Sequence, residues 1–374
     1  MRENIAHFLA LRLTIICAEF YYFLKKASAR GSYSIIKRCP LIAKDVRTRY
    51  KEKSHLYGVR RANLLKFLYV YYFVLRLFGI RSMPIKEPRK YIFCRPAGGL
   101  NDMLCQIELA VTYALRYRRV IYIDGSRGGF MDNFERYFTI REKESEWLRF
   151  GVIDFLTPPF DCYPHCLRND ILNYKSELDP IVDNMVEKES QIKLDFNMGI
   201  DYKEQVIVYE QCGNNNRSLN VFYLILLADN ARSHINKVIN SLGEYDAVHI
   251  RHSDYRTDYE AFLLKIRNNI ISSPRPLVLC SDSYEVQRYA KTLFGNRVIF
   301  SSKIPNTNGK PLHYNAELDG YETNMTALTD LFVLASAKQL YLTQTAQGVK
   351  SGFGTLARNL NKHLLLLSRL LGRL

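Results

Sequence analysis

Val248-His249-Ile250-Arg251-His252-Ser253-Asp254-Tyr255 is the stretch on which the reading of this chain turns. Ala247, Val248 and Ile250 form the end of a buried strand, which stops abruptly in a cluster of His, Arg, Ser and Asp. Open α/β sheets build ligand sites at the carboxyl ends of their strands. The planar fork of Arg fits phosphate oxygens. The stretch therefore predicts an α/β protein holding a phosphorylated ligand. Arg251, at a strand end, needs an anion nearby: a ligand phosphate, or an internal partner at Asp254 or Asp282. His249 lies two residues earlier and shares the Arg251 face of the strand. It reads either as a contact to guanidinium or ligand, or as a core histidine satisfied by backbone.

Outward from this stretch, strands and helices alternate. Strand 246–251 is followed by helix 257–271, then by strand Leu277–Cys280 ending in Ser281-Asp282-Ser283. Helix 284–294, strand 298–300, helix 324–337, strand 340–343 and helix 353–361 complete the series. Asp282 can accept hydrogen bonds from a ribose or a base, or cap the helix after it. Ser351-Gly352-Phe353-Gly354 opens the last helix, as an anion cradle or as a simple cap. Upstream, strand Tyr91–Cys94, the turn Pro96-Ala97-Gly98-Gly99, a helix capped by Asn101 or Asp102 and strand Val120–Ile123 make one βαβ unit. The glycine pair lets backbone amides approach a ligand, or serves as an ordinary βα turn. Residues 126–200 are irregular and suit acceptor-specific loops. Gln205–Gln211 reads as a strand and 218–241 as one long helix. The fold class is α/β, with two Rossmann-like domains facing across a cleft: 89–242 on the acceptor side and 243–374 on the donor side.

Charge separates the remaining segment from these two. The 374 residues carry a net charge of +16, yet residues 1–90 hold 20 Lys+Arg against 5 Asp+Glu, and the rest hold 33 against 32. Residues 1–88 thus read as a basic, amphipathic helical module that associates with an anionic membrane surface. Its run Phe67–Leu75 is bracketed by Lys66 and Arg76 and would rise only about 14 Å as a helix, short of the roughly 30 Å hydrocarbon core. Residues 5–24 either span a membrane or lie on it. No secretory signal is evident. The eight scattered cysteines fit reduced thiols in the cytoplasm, with the protein peripheral at the inner face of a membrane. Cys162-Tyr163-Pro164-His165-Cys166 reads as a loop with incidental thiols, not as a zinc site. The glycines match neither G-x-G-x-x-G nor a P-loop, which disfavours a nucleotide-dependent oxidoreductase. No nucleic-acid-binding signature accompanies the charge.

His249-Ile250-Arg251-His252-Ser253-Asp254-Tyr255 resembles the H-x-R-x-[ST]-D motif of GDP-fucose-dependent fucosyltransferases, which include the α1,6-fucosyltransferases, the nodulation fucosyltransferases and the protein O-fucosyltransferases. Gly98-Gly99-Leu100-Asn101, Leu279-Cys280-Ser281-Asp282, Asp330–Ala337 and Ser351-Gly352-Phe353 resemble their other motifs, in order, over about residues 91–360. The resemblance implies a GT-B fold and an inverting transfer from a nucleotide-sugar donor to a glycan acceptor, without metal or cofactor. The absence of a D-x-D triplet agrees with that. It implies that Arg251 neutralises the leaving diphosphate, with Asp254 as a further candidate for the transfer chemistry and Glu260 or Asp258, nearest the position where some relatives carry a Glu, as acceptor-activating base. Gly98, Gly99, Asn101, His249, Asp282, Ser351, Gly352 and Phe353 would bind the donor. Relatives carry a second Arg where this chain has His252, and a Lys where it has Tyr255, so the phosphate grip here is expected to be weaker. The competing reading is a non-catalytic protein that binds anionic lipid or another polyanion through residues 1–90.

Overall fold

The computed structural model describes residues 90–374 except 182, 212, 214–216, 253–255, 303–319, 345–347, 349 and 374. The basic module and Asp254 lie outside the described residues. In chain order the strands are β1 (Tyr91–Cys94), β2 (Val120–Ile123), β3 (Phe138–Ile140), β4 (Leu148–Phe150), β5 (Cys162–Tyr163), β6 (Ser176–Asp179), β7 (Asn184–Glu187), β8 (Val206–Tyr209), β9 (Ile225–Leu227), β10 (Asp246–Ile250), β11 (Leu277–Ser281), β12 (Val298–Phe300) and β13 (Leu340–Leu342). The α-helices are α1 (Leu100–Tyr117), α2 (Asp229–Leu242), α3 (Tyr259–Ser272), α4 (Tyr284–Phe294), α5 (Gly320–Ser336), α6 (Gly352–Lys362) and α7 (Leu364–Leu370).

Two parallel sheets organise the molecule. The first runs β4-β2-β1-β8-β5 and the second β12-β11-β10-β13, every adjacent pair being parallel. Parallel strands buried on both faces read as continuous apolar runs. Tyr91-Ile92-Phe93-Cys94 and Leu277-Val278-Leu279-Cys280 fit that rule and are buried throughout. In the second sheet Val248, Ile250, Leu277 and Leu279 pack against Leu263, Ile266 and Ile270 of α3 and Val286, Ala290 and Phe294 of α4. Burying such side chains stabilises by about 1.5–3 kcal/mol each.

The long helix expected over 218–241 is instead three elements. A 3-10 turn over Ser218–Tyr223 leads into β9, which pairs antiparallel with β3, and only then does α2 begin. Most of the apolar run Val221–Leu227 is buried, with β3 paired alongside β9 and α7 packed on it, so it does not show the one-faced pattern of an amphipathic helix. The first βα turn also differs in detail: the cap of α1 is Gly99, so Asn101 and Asp102 fall inside the first helical turn.

Interlocking polar and aromatic contacts join elements of the two sheets' regions. Asn324 of α5 is buried and donates to the Phe130 carbonyl at 2.7 Å and to the Tyr137 hydroxyl at 3.0 Å, and Tyr321 stacks on Tyr137. The C-terminal Leu-rich tail forms α7 and returns to the body. Leu366, Leu367 and Leu370 are buried, Arg369 donates to the Phe222 carbonyl at 3.3 Å, and Asn236 donates to the Leu371 carbonyl at 2.8 Å. Among the described residues no helix is long and apolar enough to cross a membrane.

Candidate functional site

The site grows from the carboxyl end of β10. This strand is central in its sheet, between β11 and β13, and all five of its residues are buried. Arg251 follows immediately and is half-buried. Three contacts shape the turn beyond it. The Arg251 carbonyl accepts from the Thr257 hydroxyl at 2.6 Å, the His252 N–H donates to Asp282 Oδ1 at 2.7 Å, and the Thr257 N–H donates to His252 Nδ1 at 3.3 Å. Asp282, just past β11, therefore pins the backbone next to Arg251. It does not cap α4, whose cap position is Ser283 without a side-chain bond.

His249 is only 8% exposed. Its ring lies 5.3 Å from the Phe353 ring, and its Nδ1 is 3.0 Å from where a Cβ on Gly354 would sit. Burial pushes its pKa down to about 4, with Asp282 pulling up and the Arg251 guanidinium pushing down. The imidazole is thus neutral at neutral pH, with a donor nitrogen and an acceptor nitrogen. The mutual effects of His249, Arg251 and Asp282 place all three together.

The other wall is α6. Ser351 caps it, its Oγ accepting from the Gly354 N–H at 3.3 Å. Gly352 is small for a local reason: a Cβ there would lie 2.6 Å from Asn101 Nδ2. Asn101, in the first turn of α1, also accepts from the Ser218 hydroxyl at 2.7 Å. Side chains from the first-sheet region therefore reach the N-terminus of α6. Gly98 adopts φ 83°, a conformation that favours glycine. Its carbonyl accepts from the Gly129 N–H at 3.0 Å, and a Cβ on Gly129 would lie 2.2 Å from that oxygen. Gly99 has open space on its Cβ side.

An open pocket, about 290 Å³ with the solvent at its mouth included, is lined by His249, Thr343, Lys350, Ser351, Thr355 and Arg358, among others. The structure thus gathers His249, Arg251, Asp282, Asn101, Ser351, Gly352 and Phe353, with Gly98 and Gly99 forming the turn into the helix that carries Asn101. Glu260 stands apart from them in role, exposed in the first turn of α3, which Asp258 caps by accepting from the Ala261 N–H at 3.1 Å. Lys350, Thr355 and Arg358 went unremarked in the sequence. The available signal was spacing: Ser351, Thr355 and Arg358, at i, i+4 and i+7, share one face of a helix. Among the described residues no group of three His, Cys, Asp or Glu side chains is placed to hold a metal ion.

No protein-family model matches the chain, and no curated protein matches it. Solved structures do. Fucosyltransferase NodZ from Bradyrhizobium superposes with a TM-score of 0.51 at 22% identity, over 73% of this chain and 92% of that one. A structure of NodZ alpha-1,6-fucosyltransferase co-crystallised with GDP matches with the same TM-score, identity and coverage. The chain has the two-sheet α/β, GT-B fold that NodZ has, a GDP-fucose fucosyltransferase-like fold.

Proposed function

We propose that the protein is an inverting, metal-independent glycosyltransferase that moves a sugar, fucose from GDP-fucose, to a glycan acceptor. The observation that carries this reading is the convergence of the buried neutral His249 and the capped N-terminus of α6 on one pocket edge, with Arg251 two residues beyond His249 at the end of β10. A helix N-terminus carries partial positive charge and unpaired N–H groups. Together with a guanidinium it suits the diphosphate that departs when the donor's glycosidic bond breaks. Stabilising charge where it develops is the largest electrostatic task of such a transfer. The co-crystallisation of NodZ with GDP supports guanosine as the base.

In this mechanism an acceptor hydroxyl attacks the anomeric carbon from the face opposite the diphosphate, and inversion follows. Arg251 and the α6 amides take up the charge of the leaving group. Glu260 accepts the hydroxyl proton, a role that requires hydrogen-bond reach to the acceptor. Asp282 contacts the nucleoside, and Asn101 meets the donor from the first-sheet side. The basic segment 1–88 keeps the enzyme at an anionic leaflet, beside a lipid-linked or lipopolysaccharide-type acceptor.

The test is transfer from GDP-fucose by Arg251→Ala. Loss of one charge-stabilising group is expected to lower turnover by about 10²–10³-fold while the melting temperature holds. A thermal-shift series with GDP, UDP, CMP and ADP should single out GDP. Near-normal turnover in the variant, with no preference among the nucleotides, overturns the proposal. The polyanion-binding alternative rests on the charge of residues 1–90. Under it, removing residues 1–88 abolishes all binding, whereas the enzyme keeps its nucleotide affinity.

A further inference from the structure

A departing diphosphate carries several negative charges, more than one guanidinium balances. Among the described residues of the loop after β10, two other groups carry or can carry positive charge. His252 is engaged through its backbone N–H and its Nδ1, and its ring sits edge-on to Tyr259 at 4.7 Å. Arg256 is exposed. Further cationic charge lies at α6. Lys350 and Arg358 line the same pocket as His249 and Ser351, and neither forms an ion pair with a carboxylate among the described residues. Lys350 precedes the cap of α6, and Arg358 falls on the helix face that Ser351 and Thr355 share.

A second observation says that this pocket awaits a polar ligand. The His249 ring is more than nine-tenths buried, lines the pocket and makes no hydrogen bond among the described residues. Buried polar atoms are ordinarily satisfied, so a ligand oxygen is the natural partner for a ring nitrogen there.

We propose that Lys350 and Arg358 are diphosphate-binding residues, gripping the donor's phosphates from the α6 side while Arg251 holds them from the β10 side. This rests on the glycosyltransferase reading and deepens it: the leaving group is clamped between two elements, and the helix supplies the larger share of the cationic charge. Inorganic pyrophosphate is then a sufficient ligand for the clamp, without base or sugar.

The experiment is calorimetric titration of the full chain with inorganic pyrophosphate, GDP and GMP, for wild type, Arg251→Ala, Lys350→Ala, Arg358→Ala, Arg358→Lys and the Lys350→Ala/Arg358→Ala double variant. Charge-assisted contacts of this kind predict that each alanine weakens pyrophosphate and GDP by about tenfold. GMP should lose less, Arg358→Lys should recover part of the loss, and the unliganded melting temperature should stay constant. A double variant that binds pyrophosphate like wild type, while Arg251→Ala does not, overturns this proposal and leaves the glycosyltransferase reading standing. A wild type that binds neither GDP nor pyrophosphate removes both.

Discussion

Two strands of this chain, β1 and β10, run straight into an arginine, and the two arginines are treated differently. Arg95 after β1 is 3% exposed. It donates to Asp124 at 2.9 Å and to the Leu172 carbonyl at 2.6 Å, with the Phe93 and Tyr174 rings beneath and above. Tyr174 in turn donates to Glu210 at 2.6 Å, and the Ser126 hydroxyl holds the second Asp124 oxygen at 2.6 Å. The first sheet thus closes its own carboxyl edge with a brace that ties the 170–176 loop down. Arg251 after β10 is only half-buried, two residues beyond the pocket-lining His249. The neighbouring strand-end carboxylates are both engaged: Asp124 pairs with its arginine, and Asp282 Oδ1 accepts from the His252 backbone N–H. The same residue at the same topological position is locked into a buried brace in one sheet and left half-buried in the other.

The contrast can be broken by exchange of phenotypes. Arg95→Ala strands the buried Asp124 carboxylate and should cost about 3–5 kcal/mol of stability, read by urea denaturation. Arg251→Ala should cost less than about 1 kcal/mol in the same assay. Equal losses would erase the distinction.

Asp330 sharpens the comparison through pH. It is buried in α5 near Cys280, Ser301 and Ser302, and burial pushes its pKa up to about 7 against partial relief from those three side chains. Between the usual carboxylate range and pH 7 the folded state holds a proton that the unfolded state has released. Stability therefore falls as pH rises through that window. His249 has the opposite slope: with its folded pKa near 4, the unfolded state binds the extra proton, and stability rises as pH goes from 4 to 6.5. The difference between wild type and Asp330→Asn isolates the carboxylate. The variant should match wild type at pH 4 and exceed it by a few kcal/mol at pH 8. A constant gap across that range would contradict the assignment.

The smallest expected effect concerns the seam between the two regions. Gly352→Ala drives a methyl against the Asn101 amide, which Ser218 holds in place, at an expected cost of about 1 kcal/mol. The cost should vanish in an Asn101→Ala background, measured as a double-mutant cycle. Persistence of the penalty there would mean that the contact is not what constrains Gly352.

Much of the second sheet was legible because its strands are continuous apolar runs ended by polar clusters. Residues 284–294 and 298–300 fall where the pattern places them. The first-sheet region was less so. Strands β4 and β5 have three and two residues, too short to show a period, and β6 and β7 form a hairpin whose Leu178 and Ile181 face solvent. The apolar run through Leu227 misread as helix because burial of most of its residues removes any one-faced pattern. At the site, motif residues stood out, while Lys350 and Arg358 did not. A lysine before a cap and an arginine two turns later look like ordinary solvated positions until the pocket is seen.

The return of α7 to the first-sheet region has a consequence during synthesis. Arg369 and Phe222 are 147 residues apart in sequence, and α7 packs on β9 and on the 3-10 turn before it. A nascent chain that has already made β9 must leave that apolar flank uncovered until α7 emerges, an interval in which chaperone capture or aggregation competes with docking. Ribosomal stalling ahead of codon 364 would leave a product whose β3-β9 pair is complete in hydrogen bonding but still sticky on the flank that α7 covers.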